Sequence, residues 1–281
     1  MLGDVSFEMG IGIAMMAFFA EYIDSTLGMG YGTTLTPLLM LVFGFSPLQI
    51  VPALLLSELI TGLLAGFTHH SMGNVQFFPK TIRIQRVIKN IRSNGVTDSL
   101  RRGMPRHLKI TLLLAACSIT GTLISVFLAI SLPKFYLKLY IGLLVFTIGI
   151  VILVTINKSF PFSWGKIVVL GLIASFNKGM SGGGYGPVVT GGQLLAGVEG
   201  KSAIGITSLA EGLTCIVGVV AYLIIKGEID WKLAPYLVGG AVLSVPLSAY
   251  SVKLIKSNNL RILIGIVTIV LGLFTICNVV F

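Results

Sequence analysis

The feature that most restricts this chain is a succession of apolar runs long enough to cross the roughly 30 Å hydrocarbon core of a bilayer. They cover residues 7–27, 47–70, 108–131, 135–156, 164–178, 201–225, 232–254 and 260–280. Continuous runs of this length read as membrane helices. Composition agrees, with 55% hydrophobic and 11% charged residues and a mean hydropathy of +0.97. A soluble surface needs about a quarter of its residues charged, so a soluble enzyme, a disulfide scaffold and a disordered chain are excluded. The first run is preceded by Asp4 and Glu8 rather than a basic segment. It is expected to stay as a span and not to be cleaved as a signal. Two further runs, 33–44 and 187–198, would reach only about 18 Å as helix and are expected to be half-helices or re-entrant segments.

Charge orients these spans. The polar stretch 80–109 holds Lys80, Arg83, Arg86, Lys89, Arg92, Arg101, Arg102, Arg106 and Lys109 against Asp98 alone, so a cytoplasmic loop is expected over 79–107. If both short runs cross, the N-terminus lies outside, and Lys158, Lys166, Lys201, Lys253, Lys256 and Arg261 join the inner side. Lys134, Lys138, Lys226 and Lys232 fall outside, and Lys178 is left within the membrane. The net charge of +10 is thereby explained by lipid headgroups and topology, with no nucleic-acid partner. Membrane lipid is an expected partner, and a homodimer is compatible with the sequence.

The chain also repeats itself. Gly28, Gly30, Tyr31, Gly32 and Thr36 align with Gly182, Gly184, Tyr185, Gly186 and Thr190, and, one residue out of step, Gly44, Leu56, Glu58 and Thr61 align with Gly197, Leu209, Glu211 and Thr214. GNVQF (73–77) then faces GEIDW (227–231), and YIGLLVF (140–146) resembles LIGIVTI (263–269). We read residues 1–156 as a first repeat containing the basic loop and 157–281 as a second. Each has about five helical segments, one of them short, and that odd number of crossings inverts one repeat relative to the other. The expected fold is an all-α membrane protein of two inverted-topology repeats, with a half-helix after a Gly-rich break in each.

A glycine break followed by a half-length helix at matching places in two halves points to a substrate site at mid-depth. Unwound glycines expose backbone N–H groups, and the following helix begins with unpaired donors and partial positive charge, which suits an oxyanion. With 34 glycines in the chain, close helix packing is the competing explanation. Ionisable residues inside a membrane are costly and each suggests a function, here Glu21, Asp24, Glu58, Lys178 and Glu211. Lys178 with neighbouring Asn177 is the natural counter-charge for an anion, although an Asp24–Lys178 ion pair would serve as an orientation device instead. Glu58, Glu211 and, with a weaker claim, Glu21 are candidates for carrying a coupling proton. Alternatively Glu58 and Glu211 cap the exposed backbone of the glycine loops.

Cys117, Cys215 and Cys277 stand isolated in apolar segments and read as packing residues. Adjacent His69 and His70 near the cytoplasmic face read as solvated at the interface, with no metal site. GMSGGGYG (179–186) follows a membrane segment and not a strand, so nucleotide binding is set aside. There is no ATPase motif and no cofactor or catalytic residue is called for, which leaves a gradient as the energy source and argues against an enzyme.

The doubled motif, DSTLGMGYGTTLTPLL in the first half and KGMSGGGYGPVVTGGQLL in the second, each followed by a helix carrying SE (57–58) or AE (210–211), resembles the TauE/SafE sulfite-exporter-type family. The resemblance runs over essentially the whole chain. It implies two inverted repeats and movement of sulfite or a sulfur-containing organic anion across the cytoplasmic membrane, usually outward. Carried onto this sequence, it marks Gly28, Gly30, Gly32, Gly182, Gly183, Gly184 and Gly186 as the substrate loops, with Tyr31 and Tyr185 among them. The chain departs from the pattern at Gly191, where the first half has Pro37, and at Lys178, where a small or apolar residue is expected. The expected function is a secondary transporter for a small anion working by alternating access. The alternatives are a proton- or cation-coupled importer of a sulfur compound, a Gly-lined anion channel, or a membrane scaffold acting through the basic loop.

Overall fold

The structure is a computed structural model that describes residues 6–45, 47–78, 104–129, 134–155, 157–158, 160–181, 185–226 and 229–280. Among these, all regular structure is α-helical: α1 (Phe7–Leu27), α2 (Tyr31–Phe43), α3 (Pro47–Ser71), α4 (Arg106–Ala129), α5 (Lys134–Val154), α6 (Trp164–Ser181), α7 (Tyr185–Leu195), α8 (Gly200–Lys226), α9 (Ala234–Leu254) and α10 (Ser257–Val280). The helices at Gln49–Ser71, Gly200–Ile224, Ala234–Leu254 and Ser257–Cys277 are long and apolar enough to cross a membrane. Residues 79–103, most of the basic loop, lie outside the described residues.

Local chemistry sets the helix ends. Ser6 caps α1 by accepting the Met9 N–H at 3.3 Å, with Glu8 in the positive first turn. The helix stops at Gly28, whose left-handed φ of 73° lets its N–H return to the Asp24 carbonyl. Gly30, at φ 128°, turns the chain into α2. The two short runs are helices of 13 and 11 residues, the expected half-helices.

The bundle is built by helices far apart in sequence. α1 packs along α9, α3 along α8, α4 along α6 and α5 along α10, with α3 also meeting α9 and α4 meeting α8. Small residues allow these approaches, as they do wherever lipid supplies no hydrophobic drive between helices. A Cβ on Gly62 would lie 2.7 Å from Gly212 Cα, where α3 and α8 cross, and one on Gly240 would collide with the Ala14 carbonyl of α1. Gly62→Leu is therefore expected to destabilise the fold by about 1–3 kcal/mol or more through overpacking. A lowered melting temperature in detergent would register it.

Polarity is distributed as in a membrane protein. Phe19, Phe67, Val154, Ile224 and Leu243 point outward, whereas Glu21, Ser57, Glu58, Thr61, Lys178, Thr190, Gln193 and Thr207 are buried. α7 is enclosed by α5, α6, α8 and α10, and Tyr185 through Leu194 are all buried. α2 rests chiefly on α1 and α3, with Leu38 and Val42 exposed.

One expectation is corrected here. His69 is fully buried rather than solvated at an interface. Its Nε2 donates to the Ser25 carbonyl of α1 at 3.0 Å, and its Nδ1 accepts from Asn74 Nδ2 at 3.1 Å. Asn74 also donates to the Ala249 carbonyl of α9 at 2.8 Å, so the pair ties the ends of α1, α3 and α9 together. The buried ring is tolerated because both nitrogens have partners, which adjacency in sequence does not reveal.

Candidate functional site

The first glycine-rich break meets the start of α7. A Cβ on Gly186, in the first turn of α7, would lie 2.5 Å from the Gly28 carbonyl oxygen and 2.8 Å from Met29 Cα, so only glycine permits this approach. Thr190, one turn further along α7, donates to the same Gly28 carbonyl at 2.8 Å. Behind it, Thr190 reaches Thr207 of α8 at 2.9 Å, and Gln193 donates to Thr207 at 2.8 Å. Gly182, Gly183 and Gly184 lie outside the described residues, and Asn177 is on α6 beside Lys178. Gly32 is in the first turn of α2.

The breaks differ in their charge. Asp24 Oδ1 accepts the Tyr31 N–H at 3.2 Å, placing a carboxylate group at the positive end of α2. Asp24 thus caps the first half-helix and, among the described residues, forms no ion pair with Lys178. The Tyr31 hydroxyl shares a hydrogen bond with Ser57 of α3 at 2.8 Å, and Thr61 of α3 donates to Glu21 of α1 at 3.2 Å.

Lys178 enters from α6 and is buried. Its ammonium lies 2.7 Å from Glu211 Oε1 of α8 and 3.4 Å from Glu58 Oε2 of α3. Cys215, one turn beyond Glu211, donates its thiol to Glu58 at 3.4 Å, and the ammonium stands 5.4 Å from the centre of the Tyr185 ring. Glu58 and Glu211 therefore hold Lys178 and do not cap the glycine loops in the described residues. A short separation between opposite charges is worth far more here than in water, and separating them is correspondingly expensive. Among the described residues, no three His, Cys, Asp or Glu side chains are arranged to hold a metal ion.

A patch of hydroxyls borders the lysine. Thr214 reaches Ser118 of α4 at 2.8 Å and Ser175 of α6 reaches it at 3.1 Å, at the place where the first half has Thr61 with Glu21. The Tyr185 hydroxyl lies against those of Ser118 and Thr214, and Gln193 Oε1 is buried without a hydrogen-bond partner. Buried polar groups rarely go unpaired, and this oxygen is open to a donor on a solute or a water.

Sequence reading reached Asp24, Glu58, Lys178 and Glu211 as separate candidates, and folding joins the last three. It gave Thr190 and Ser57 only as matched positions of the doubled motif, and missed Cys215, which looked like a packing residue, and Ser118, Gln193 and Thr207. Gln193 had a signal, as an amide inside an otherwise apolar half-helix. Lone serines and threonines in membrane helices commonly bond to their own helix's carbonyls, and nothing in their spacing set Ser118 and Thr207 apart.

The chain matches the family described as sulfite exporter TauE/SafE over residues 13–84 and 93–275. It is also similar to the probable membrane transporter protein YtnM of Bacillus subtilis (strain 168), with 26% identity over 94% of this chain and 82% of that protein. No solved structure matches. With a family match over nearly its whole length, joined to several membrane-length helices around buried charge, the chain belongs to the TauE/SafE family of membrane transporters.

Proposed function

We propose that the chain moves a small anion, sulfite or an organosulfonate, across the cytoplasmic membrane, binding it where the two helix breaks meet and using Lys178 as its counter-charge. The observation that carries this reading is the buried ammonium of Lys178, held beside the start of α7, where Gly186 lies against Gly28 and Met29. Helix-start amides are donors suited to oxygen atoms on sulfur, and the hydroxyls of Tyr185, Ser118, Ser175 and Thr214 form a linked polar group beside them that can turn to a bound anion. The substrate class follows from the family description, whereas the preference for an anion follows from the lysine.

Alternating access by inverted repeats is the proposed mechanism. Helix pairing supports it: exchanging the halves turns α1–α9 into α6–α4 and maps α3–α8 and α5–α10 onto themselves, and all four contacts are present. The halves are unequal in one respect, α7 being sheathed by α5 and α10 while α2 is open. Such inequality suits one state of a two-state carrier. On this reading the 79–107 loop faces the cytoplasm and the N-terminus lies outside.

A second reading, a proton- or cation-coupled importer of a sulfur compound, is favoured by the four acids around one lysine. Reconstituted vesicles offered sulfite, sulfoacetate, thiosulfate and taurine, with and without a pH gradient, separate these, since a coupled importer is driven by the gradient. Saturable uptake of the anions, with zwitterionic taurine excluded, is expected. Flux that rises without saturation would indicate a channel, and no flux of any of them would remove the proposal.

A further inference from the structure

Lys178 is contested. Glu58 comes to it from α3 and Glu211 from α8, and among the described residues Cys215 of α8 and the Tyr185 ring of α7 also stand against it. α4 faces α6 here with the Ser118 hydroxyl and no charge. Glu21 and Asp24 of α1 look onto the same cluster, but neither ion-pairs with the lysine among the described residues. The exchange proton is assigned to Glu58 and Glu211 because these are the acids in contact with the ammonium that an anion would draw away.

The balance decides what an anion must bring. With both acids ionised, Lys178, Glu58 and Glu211 together carry one negative charge. The low-dielectric interior disfavours any net charge in transit, so the empty triad crosses neutral with one acid protonated. A monoanion takes the ammonium from the remaining carboxylate, and the loaded site returns to neutrality only when that carboxylate also takes up a proton from water. Resting on the anion-site reading above, we propose that Lys178, Glu58 and Glu211 form a proton-exchange triad that makes transport of a monoanion an electroneutral symport with one proton. By linkage, acid on the loading side strengthens anion binding and the anion strengthens proton uptake. Were proton and anion rivals for a single group, the coupling would have the opposite sign. Here they act on different groups and help each other.

The test uses the full chain in proteoliposomes with ethanesulfonate, a permanent monoanion that carries no proton of its own. Lumenal pH is read with a dye, and the membrane potential is set by potassium and valinomycin. Expected for the native chain is uptake with lumenal acidification of about one proton per anion, faster with an inward proton gradient and indifferent to potential. In the double variant Glu58→Gln/Glu211→Gln, uptake should lose its acidification and follow the potential instead. Each single variant keeps one acid and should still carry the proton, which provides a test if the double variant does not reconstitute. Native uptake that follows the potential without acidification, or single variants that are already uncoupled, would overturn the triad while leaving anion transport standing. No movement of ethanesulfonate, sulfite or thiosulfate would instead strike the anion reading itself, and the triad with it.

Discussion

Lys178→Met is expected to remove anion uptake, with apparent affinity falling by roughly 30-fold or more, about 2 kcal/mol. The methionine fills most of the lysine's volume, so the change is chiefly one of charge. It strips Glu58 and Glu211 of the partner now 3.4 Å and 2.7 Å away. Those acids can then be accommodated only by taking up protons, since leaving either ionised and unpaired would cost several kcal/mol. Tracer uptake per mole of reconstituted protein measures the effect, and a monodisperse elution profile in detergent shows that the fold survives. Lys178→Arg should recover part of the function. An arginine retains the charge while its planar fork cannot reproduce the compact three-donor geometry of the ammonium. Full activity in Lys178→Met would mean that the lysine is only a device for orienting helices.

Gly186→Val should be nearly as damaging, for a steric reason. The position is already too close to the Gly28 carbonyl oxygen, 2.5 Å, and to Met29 Cα, 2.8 Å, for even a Cβ. These obstacles are backbone atoms and not the flexible end of a side chain, so the first break and the start of α7 must separate. The Thr190 hydrogen bond to Gly28, 2.8 Å, would be stretched or lost with them. Overpacking of this kind costs about 1–3 kcal/mol and sometimes more. Loss of transport exceeding the loss of stability is expected, because the displaced atoms are those proposed to line the anion site. Gly239, where an added Cβ meets nothing within 4 Å, supplies the control: Gly239→Ala should be nearly silent in both measurements.

Much of the fold was legible because membrane helices advertise themselves by length and apolarity alone. The first span was expected over 7–27 and the helix runs Phe7–Leu27; the third was expected over 47–70 and runs Pro47–Ser71. The half-helices were also foreseen, since glycine marked their starts, although each begins two residues earlier than its apolar run. What could not be read was partnership across the bundle. Asp24 and Lys178 occupy equivalent places in the repeat, which suggested a pair, yet Asp24 turns to the Tyr31 amide while Lys178 reaches Glu58 and Glu211 on two other helices. Equivalence by repeat relates a residue's place within its own half of the sequence, whereas a side chain's partner depends on which helices lie beside it. His69 shows the same limit, its two partners being supplied by Ser25, on a helix far back in the chain, and by the turn at Asn74.

The most direct measurement is a cryo-electron microscopy map of the protein in nanodiscs at a concentration of sulfite or ethanesulfonate that saturates its uptake. The account predicts density for the anion between the two breaks, in contact with Lys178 Nζ, with Glu58 or Glu211 withdrawn from the ammonium. A map in which Lys178 stays paired with both acids while the anion binds elsewhere, or in which the breaks hold no anion at all, would contradict it.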